Sequence, residues 1–339
     1  MFELTYRCNF NCRHCYIPQN YRKKTKEELK TKELFSILDQ LKDIGCFYLG
    51  FTGGEPFIRQ DMMDILWDAK RKGFEVIIYS NGSLIDEKIA EELVHLRPNK
   101  VDITIPAMSK DSFERITQMP GSHKKVFNAI DLLYKREVNL AFKSCVLREN
   151  EGEIEDIQKF ADSLGALHRL DDILSPRLDG SKEPYKYRGR LLNANKLESS
   201  ANLRESTGED IRVDSCVNSE NSCLFKCGVG RSQVAITPFG ELKMCLMIDY
   251  PKYKILDTKN RKPKTKNQTQ RLNLKEGWQR LKDMVLDIKP DKNYQCDRCE
   301  LKPYCKWCPA RGWLDRKSFT SCEPEGRAWA EVRRQEIKI

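Results

Sequence analysis

The chain has 339 residues, of which 40% are hydrophobic and 32% are charged, and its formal net charge is +10. Single cores stop growing at ~250–300 residues, so this length predicts two domains. No apolar run reaches the ~18–20 residues of a membrane helix, and no signal-peptide pattern precedes the first cysteine. We therefore expect a cytoplasmic protein with no membrane partner. The basic balance favours an anionic partner such as an acidic peptide.

Short strands alternate with amphipathic helices from residue 2 to about residue 170. The predicted strands are Phe2–Tyr6, Phe47–Thr52, Glu75–Tyr79, Lys100–Ile105 and Asn139–Val146. The predicted helices are Glu27–Ile44, Met62–Lys72, Asp86–Leu96, Val126–Lys135 and Ile154–Leu164. Repeated β-α units imply a parallel sheet with right-handed crossovers. We predict an α/β fold in which residues 1–190 form a partial (β/α)6 TIM-type barrel, with its site at the carboxyl ends of the strands.

Fourteen cysteines are many for a cytoplasmic protein. In a reducing compartment, clustered cysteines more often bind metal than form disulfides. Twelve of the fourteen lie in two groups, residues 8–15 and 216–322. The other two, Cys46 and Cys145, each lie in an apolar run and are interpreted as core residues.

The N-terminal group has the spacing C-x3-C-x2-C and follows the first strand. It consists of Cys8, Cys12 and Cys15. Three thiolates are one fewer than the four ligands of a closed zinc or iron–sulfur site, and an open position lets a metal centre bind something else. The alternative is a zinc loop with a distant fourth ligand, or with His14 in that role. Because zinc loops usually run C-x2-C, the open site is favoured.

Two further motifs end the next two predicted strands. Gly53-Gly54-Glu55-Pro56 follows the second strand, where glycines allow positive φ angles and close approach to a ligand. A carboxylate and main-chain groups there can hold an ammonium group, although a plain tight turn explains the residues equally well. Ser80-Asn81-Gly82 ends the third strand. Lys143, Arg148 and Asn150 lie on or just past the fifth strand and are either ligand contacts or solvated surface residues.

The C-terminal part is predicted to be a small cysteine-rich α+β domain, residues 213–339, after a polar linker, residues 191–212. Val234–Thr237 and Leu242–Cys245 are predicted to form a β-hairpin around a Pro-Phe-Gly-Glu turn. Helices are predicted over Asn273–Ile288 and Glu325–Ile337. Eight of the nine cysteines here suffice for two closed four-thiolate sites, either iron–sulfur or zinc; the nine are Cys216, Cys223, Cys227, Cys245, Cys296, Cys299, Cys305, Cys308 and Cys322.

At the N-terminal motifs the chain resembles the radical S-adenosylmethionine (SAM) enzymes. The resemblance implies that Cys8, Cys12 and Cys15 hold a catalytic [4Fe–4S] cluster whose open iron binds SAM. One electron then cleaves SAM to a 5′-deoxyadenosyl radical. The resemblance places Tyr16 near the adenine and assigns the SAM methionine amino group to the second motif. The residues it assigns to SAM binding are Tyr16, Gly53, Gly54, Glu55, Pro56, Ser80 and Asn81.

The later cysteines resemble the SPASM extension, which carries two auxiliary [4Fe–4S] clusters. Gly240-x4-Cys245 and Cys296-x2-Cys299-x5-Cys305 match its pattern, whereas x2 replaces x3 before Cys308. The family's interleaved ligation assigns one cluster to Cys223, Cys227, Cys245 and Cys308. It assigns the other cluster to Cys296, Cys299, Cys305 and Cys322. Cys216 is left over, and it either replaces Cys223 or stays free.

The stretch 112–122 and the stretch 171–188 resemble a branch of this family that modifies ribosomally made peptides. The resemblance implies a maturase that abstracts hydrogen from a precursor peptide to make a crosslink, an epimer or a backbone excision. It also implies an electron donor such as flavodoxin or ferredoxin. Because the first strand begins near Phe2, no winged-helix domain precedes it, and a separate leader-binding protein is expected. Leu246 stands where sulfatase-activating relatives have Asp, which argues against that activity.

Two alternatives come from other functional classes. The first is a radical SAM enzyme acting on a small molecule such as a tetrapyrrole side chain or a sugar. The second is a non-catalytic metal-cluster scaffold that binds nucleic acid through basic residues. The basic stretch 259–266 has no aromatic residues between its charges, so nucleic acid is an unlikely partner and a solvated loop is the preferred interpretation.

Replacement of Cys12 by Ala tests the N-terminal site. The protein reconstituted anaerobically should hold about twelve irons per chain if three [4Fe–4S] clusters form. The Cys12→Ala variant should lose SAM cleavage and about four irons while keeping the auxiliary iron. Iron analysis and 5′-deoxyadenosine chromatography measure both quantities. Cleavage that survives the substitution would overturn the assignment.

Overall fold

A computed structural model describes most of the chain. The described residues are 1–23, 28–189, 224–225, 227–255, 272–292 and 294–336. Cys216, Cys223, the predicted linker 191–212 and the basic stretch 259–266 lie outside these residues. None of the helices in the described ranges is long and apolar enough to cross a membrane.

Nine strands in these ranges form one sheet. They are β1 (Phe2–Thr5), β2 (Tyr48–Gly53), β3 (Glu75–Ser80), β4 (Lys100–Thr104), β5 (Leu140–Cys145), β6 (Leu167–Asp171), β7 (Ala235–Ile236), β8 (Glu241–Cys245) and β9 (Ile248–Lys254). The α-helices described are α1 (Thr31–Asp43), α2 (Met62–Arg71), α3 (Glu87–Leu96), α4 (Lys110–Thr117), α5 (Ser122–Tyr134), α6 (Ile154–Ser163), α7 (Leu274–Asp287), α8 (Pro309–Arg316) and α9 (Pro324–Glu336).

The strand order makes the first part a partial barrel. The order is β6-β5-β4-β3-β2-β1-β7-β8-β9, and β1 to β6 pair in parallel with their sequence neighbours. When every right-handed crossover advances in the same direction, the helices cover one face and the other face becomes the lumen. The predicted α/β fold with a six-stranded parallel barrel is therefore confirmed.

The C-terminal hairpin continues the same sheet. β7 joins the free edge of β1 in parallel, with Phe2 opposite Ile236. The Ile236 amide donates to the Met1 carbonyl at 3.0 Å, and the Met1 amino group donates to the Val234 carbonyl at 2.9 Å. β8 and β9 then add antiparallel strands. The cysteine-rich part thus shares its sheet with the barrel.

Helix α1 shows how an amphipathic helix covers the barrel. Its apolar residues recur at helical spacing, and Leu34, Ile37, Leu38 and Leu41 are buried. The helix packs between α2 and α7. The Leu274 amide at the start of α7 donates to the side-chain oxygen of Gln40 at 3.0 Å. The covering helices therefore join the two parts as the sheet does.

The largest errors of the sequence prediction concern short or polar elements. Four helices and strands were not predicted individually: α4, α8, β6 and the third hairpin strand β9. Helix α5 begins at Ser122, four residues before the predicted start at Val126, because Gly121 turns the chain with φ 75°. The predicted start of α1 at Glu27 lies outside the described residues, and the helix begins at Thr31.

Truncation of a core leucine tests this packing. Leu38 has 0% exposure, whereas Leu286 on α7 has 43%. Leu38→Ala should lower the free energy of unfolding by roughly 2–5 kcal/mol, because it removes buried methyl groups and leaves a cavity. Leu286→Ala is the matched control and should change it by less than ~0.5 kcal/mol. Urea unfolding followed by circular dichroism measures both, and equal losses would contradict the assigned packing.

Candidate active site

The three N-terminal cysteines lie in the loop after β1 at the carboxyl edge of the barrel. Cys8, Cys12 and Cys15 all line one cavity of about 1010 Å³. Their loop is fixed by main-chain hydrogen bonds to the end of α4. The Asn11 amide donates to the Thr117 carbonyl at 2.9 Å, and the Arg13 amide donates to the Ile116 carbonyl at 3.1 Å.

Burial sets the acidity of these side chains. It raises the pKa of the Cys8 thiol to about 11 and raises the pKa of Cys12 well above its ordinary value. Bound iron would favour the thiolates that these pKa values disfavour in the metal-free chain. Burial, with the nearby Lys143 ammonium, lowers the pKa of His14 to about 4. No partner for His14 Nδ1 is present among the described residues.

A single-ion site is not assembled in the described part of the chain. No group of three or more His, Cys, Asp or Glu side chains there is arranged to hold one metal ion. Six thiols line the cavity, and three of them, Cys8, Cys12 and Cys15, come from a single loop. A multi-iron cluster is compatible with these thiols, and their ligation of it stays a prediction.

The paired glycines form the next wall of the cavity. The Gly54 amide donates to the Thr5 carbonyl at 2.7 Å, and the Glu55 amide donates to the Arg7 carbonyl at 2.8 Å. A Cβ atom on Gly53 would lie 2.2 Å from the Thr5 carbonyl oxygen, and one on Gly54 would lie 2.0 Å from that of Arg7. Only glycine fits this contact, which holds the turn after β2 against the loop that carries the cysteines.

The Glu55 carboxylate does not face the cavity, contrary to the expectation that it holds an ammonium group there. Its side chain is fully buried and accepts hydrogen bonds from the Phe57 amide at 3.1 Å, Ser80 Oγ at 2.9 Å and the Asn81 amide at 2.7 Å. Pro56 is also buried, at the start of a short 3₁₀ turn. The carboxylate joins the ends of β2 and β3. The main-chain groups of the turn then remain available to a ligand.

Ser80 and Asn81 line the cavity with their polar groups already engaged, and their contact with SAM stays a prediction. The Asn81 side-chain amide donates to Asn9 Oδ1 at 2.9 Å and approaches the Cys8 sulfur at 3.8 Å. Ser80 Oγ bonds Glu55. These side chains connect the end of β3 to the first cysteine of the loop.

Charged residues on β5 and β6 were missed as a cluster. Lys143 and Asp171 form an ion pair at 2.6 Å in the lumen, and Arg169 lies opposite Lys143 in the strand register. Cys145 was predicted to be a core residue, but it lines the cavity, and burial raises its pKa to about 12. Residues two apart line the cavity on both strands, Lys143 and Cys145 on β5 and Arg169 and Asp171 on β6, and this period of two was the signal that could have identified them.

Asn150 and Cys46 differ from their predicted roles, Arg148 agrees with the surface alternative, and the place of Tyr16 near the adenine stays a prediction. Asn150 is fully buried, and its side chain bonds the main chain of residues 106, 145 and 147, so it is a structural residue. Arg148 is exposed. Cys46, predicted to be a core residue, is half-buried and lines the cavity. Tyr16 lines the cavity beside Cys15 and donates its hydroxyl to Glu3 at 3.1 Å.

The later cysteines gather in two groups. Burial and then the Cys308 thiol raise the pKa of Cys245 to about 12, and the same two causes raise the pKa of Cys227. Cys308 is therefore the electrostatic neighbour of both, although it was the least regular match. In the second group, burial and then the thiols of the other three members raise the pKa of Cys296 to about 11; those members are Cys322, Cys305 and Cys299. The memberships agree with the interleaved assignment, apart from Cys223, which is not described.

The fold and the site define a class of protein: parallel-barrel enzymes that carry a three-thiol loop after the first strand and a glycine turn after the second. Residues 2–161, just under half of the chain, match the Radical SAM superfamily. The match favours an enzyme over a non-catalytic nucleic-acid-binding scaffold.

Two curated relatives each match about half of the chain. A PqqA peptide cyclase of Granulibacter bethesdensis is 27% identical over 48% of this chain and 44% of its own length. An AdoMet-dependent heme synthase of Methanosarcina barkeri is 28% identical over 49% of this chain and 47% of its own length. The matches thus span about half the length of these relatives.

Solved structures share the fold over nearly the whole chain. Streptococcus suis SuiB bound to the precursor peptide SuiA has a TM-score of 0.69 at 13% identity, and the match covers 96% of this chain and 75% of SuiB. Native anSMEcpe with bound AdoMet and Cp18Cys peptide has a TM-score of 0.69 at 16% identity, and the match covers 99% of this chain and 96% of anSMEcpe. The likeness extends through the cysteine-rich part.

The pH dependence of stability tests the placement of Glu55. Burial raises the pKa of Glu55 from 4.5 to about 7. The folded protein therefore keeps this proton up to about pH 7, whereas the unfolded chain releases it near pH 4.5. The free energy of unfolding should fall as pH rises through this window, by on the order of 3 kcal/mol from this group.

Glu55→Gln should remove that part of the slope, because glutamine does not titrate. Urea unfolding of the metal-free chain at pH 5 and pH 7.5, under reducing and anaerobic conditions, measures the difference. Glu87→Gln, at an exposed position on α3, is the matched control and should keep the wild-type slope. Parallel slopes in wild type and Glu55→Gln would show that the carboxyl is not enclosed as described.

Proposed function

We propose that this protein is a radical SAM peptide maturase, which cleaves SAM reductively and abstracts hydrogen from a ribosomally made precursor peptide. The observation that carries the proposal is a single cavity lined by groups from both parts of the chain. Cys8, Cys12 and Cys15 line it from the barrel, and Cys227 and Leu246 line it from the cysteine-rich part. At about 1010 Å³ the cavity is at the upper end of the range of small-molecule pockets, which leaves room for a peptide segment beside SAM.

The proposed cofactor set is SAM with three [4Fe–4S] clusters. Cys8, Cys12 and Cys15 would hold the first, and the two groups of later cysteines would hold the auxiliary pair, with Cys223 or Cys216 completing the group of Cys227, Cys245 and Cys308. When bound, the first cluster supplies the electron that cleaves SAM and so yields the radical that takes a hydrogen atom from a substrate carbon. Two closed auxiliary clusters would then carry electrons away from an oxidised product.

The residues of the chain itself would bind and orient SAM and the substrate. The main chain of Gly53 and Gly54 offers polar groups to the amino-acid end of SAM, and the ring of Tyr16 flanks the site beside Cys15. The Lys143–Asp171 pair and Arg169 would orient polar groups of the substrate in the lumen. No side chain here needs to act as an acid or base, because hydrogen abstraction is performed by the cofactor.

Relatives support the peptide substrate over other choices. One curated relative is a peptide cyclase, and SuiB and anSMEcpe share the fold in structures that hold a peptide. The net charge of +10 suits an acidic leader segment. We propose two partners besides the peptide: a separate leader-binding winged-helix protein and an electron donor such as flavodoxin or ferredoxin.

A small-molecule substrate is the second candidate. AdoMet-dependent heme synthases match about half of the chain at 27% and 28% identity, and the peptide cyclase matches about half at 27%. This equality favours a tetrapyrrole side chain as the alternative substrate. The barrel carries the chemistry common to both, so substrate choice rests on the cavity and on the cysteine-rich part.

Substrate-dependent SAM cleavage tests the proposal. The full chain, reconstituted anaerobically and reduced with dithionite, should form stoichiometric 5′-deoxyadenosine and a mass-shifted product with its candidate precursor peptide. It should form neither with porphyrins or aminocyclitols. Cys296→Ala should lose roughly four irons and yield no modified peptide while still cleaving SAM.

Cys46→Ala is the matched control, because Cys46 belongs to none of the proposed ligand groups, and it should keep all iron and full modification. Deoxyadenosine formation that follows a porphyrin instead of the peptide would establish the second candidate. Full modification by Cys296→Ala would remove the role assigned to that auxiliary cluster.

A further inference from the structure

One carboxylate lies at the centre of a buried polar cluster between the two parts of the chain. Glu3 on β1 has 0% exposure. Its oxygens accept hydrogen bonds from the Tyr6 hydroxyl at 3.0 Å and the Tyr16 hydroxyl at 3.1 Å, and they pair with Lys243 Nζ at 2.9 Å. The Lys243 side chain is 2% exposed. The donors come from three separate segments: β1, the cysteine loop and β8.

Both ends of this cluster reach residues next to proposed cluster ligands. Tyr16 directly follows Cys15, and the two line the same cavity. Lys243 also donates to the Leu246 carbonyl at 3.0 Å, so it fixes the bend directly after Cys245. Tyr16 is electrostatically coupled to both thiols, Cys15 and Cys245. A single path of hydrogen bonds, Tyr16–Glu3–Lys243–Leu246, therefore joins the two ligand-bearing segments.

Holding the two parts together does not require this ion pair. Main-chain bonds already join β1 to β7. A buried ion pair also loses the solvation of two charges, and well-packed apolar residues often serve stability as well or better. What apolar residues cannot provide is a fixed direction for the Tyr16 hydroxyl and for the Leu246 carbonyl. The cluster is thus better suited to orienting these two groups than to holding the two parts of the chain together.

We propose that Glu3 is a positioning residue shared by two sites: it orients Tyr16 beside Cys15 and, through Lys243, the chain after Cys245. A structural change in the hairpin then alters the N-terminal loop, and a change in the loop alters the hairpin. The inference rests on the proposed function only in treating these two segments as cluster sites. Its first test needs neither cluster nor substrate.

Hydrogen exchange of the metal-free chain provides that test. Lys243→Met should raise amide exchange in the cysteine loop, residues 8–17, by roughly tenfold, although the substitution lies on β8. Lys252→Met is the matched control, because Lys252 lies opposite Lys243 in the β8–β9 register and pairs with Glu241 at 3.2 Å on the exposed side. It should leave exchange in the loop unchanged. Exchange that rises only within the hairpin would overturn the proposal.

A double variant separates positioning from simple destabilisation. Lys243→Met alone leaves the Glu3 charge buried without its cation, so the melting temperature should fall by roughly 5–10 °C. In Glu3→Gln/Lys243→Met both charges are gone, and most of that loss should return. Exchange in the loop should nevertheless stay raised, because the link from Glu3 through Lys243 to the chain after Cys245 is still lost. If loop exchange recovers together with stability, the cluster is merely structural and the proposal fails.

The reconstituted protein gives an independent readout. Tyr16→Phe removes one hydrogen bond and no charge, so it should fold, and it should weaken SAM binding by about tenfold, as loss of an outer partner of a metal site does. Lys243→Met should weaken it similarly, and Lys252→Met should not. Unchanged affinity in both Tyr16→Phe and Lys243→Met would contradict the proposal. Absence of SAM binding in the wild type would instead contradict the proposed function. The hydrogen-exchange result would still test the positioning role of Glu3.

Discussion

Two main-chain hydrogen bonds at the end of β1 determine the geometry of the candidate site. The carbonyls of Thr5 and Arg7 accept the amides of Gly54 and Glu55, so the turn after β2 lies against the start of the cysteine loop. This contact leaves no room for a side chain at either glycine. It also directs the Glu55 side chain into the interior, where it joins the ends of β2 and β3. The cysteines, the glycine turn and Asn81 then meet around one cavity because three strand ends are held in register.

The sequence contained the order of the barrel and the members of its site. Alternating apolar periodicity predicts five of the six barrel strands within one or two residues, because each is buried and short enough for the pattern to be clear. β6 was not predicted individually, because its sequence resembles that of a surface segment. Its charged residues, Arg169 and Asp171, face a polar lumen instead. β9 contains Pro251 and two lysines, and α4 has only eight residues, so neither shows a sustained repeat of either pattern.

Directions of side chains could not be predicted from the sequence. A motif identifies which residues come together, but the side of a turn that a carboxylate occupies depends on donors that arrive from elsewhere. Glu55 illustrates this, since two of its three donors belong to the next β-α unit. Cys145 illustrates the converse: its apolar neighbours predict burial, and it is buried, but within a lumen that also contains Lys143 and Asp171. The grouping of Cys308 with Cys227 and Cys245 came from a pattern match with an irregular spacing, and in the folded chain burial and the Cys308 thiol raise the pKa of both other thiols.

The sheet register has a consequence for how the chain folds. β1 precedes β2 to β9 in the chain and lies inside the sheet, between β2 and β7, yet its partner on one side is Ile236. Such a non-local pairing is slow to form, and until it forms, β1 presents an open strand edge that invites association with other chains. The segment that matches the family, residues 2–161, ends well before this partner. A fragment cut to the family boundaries would therefore keep the catalytic motifs and expose the strand from which they extend.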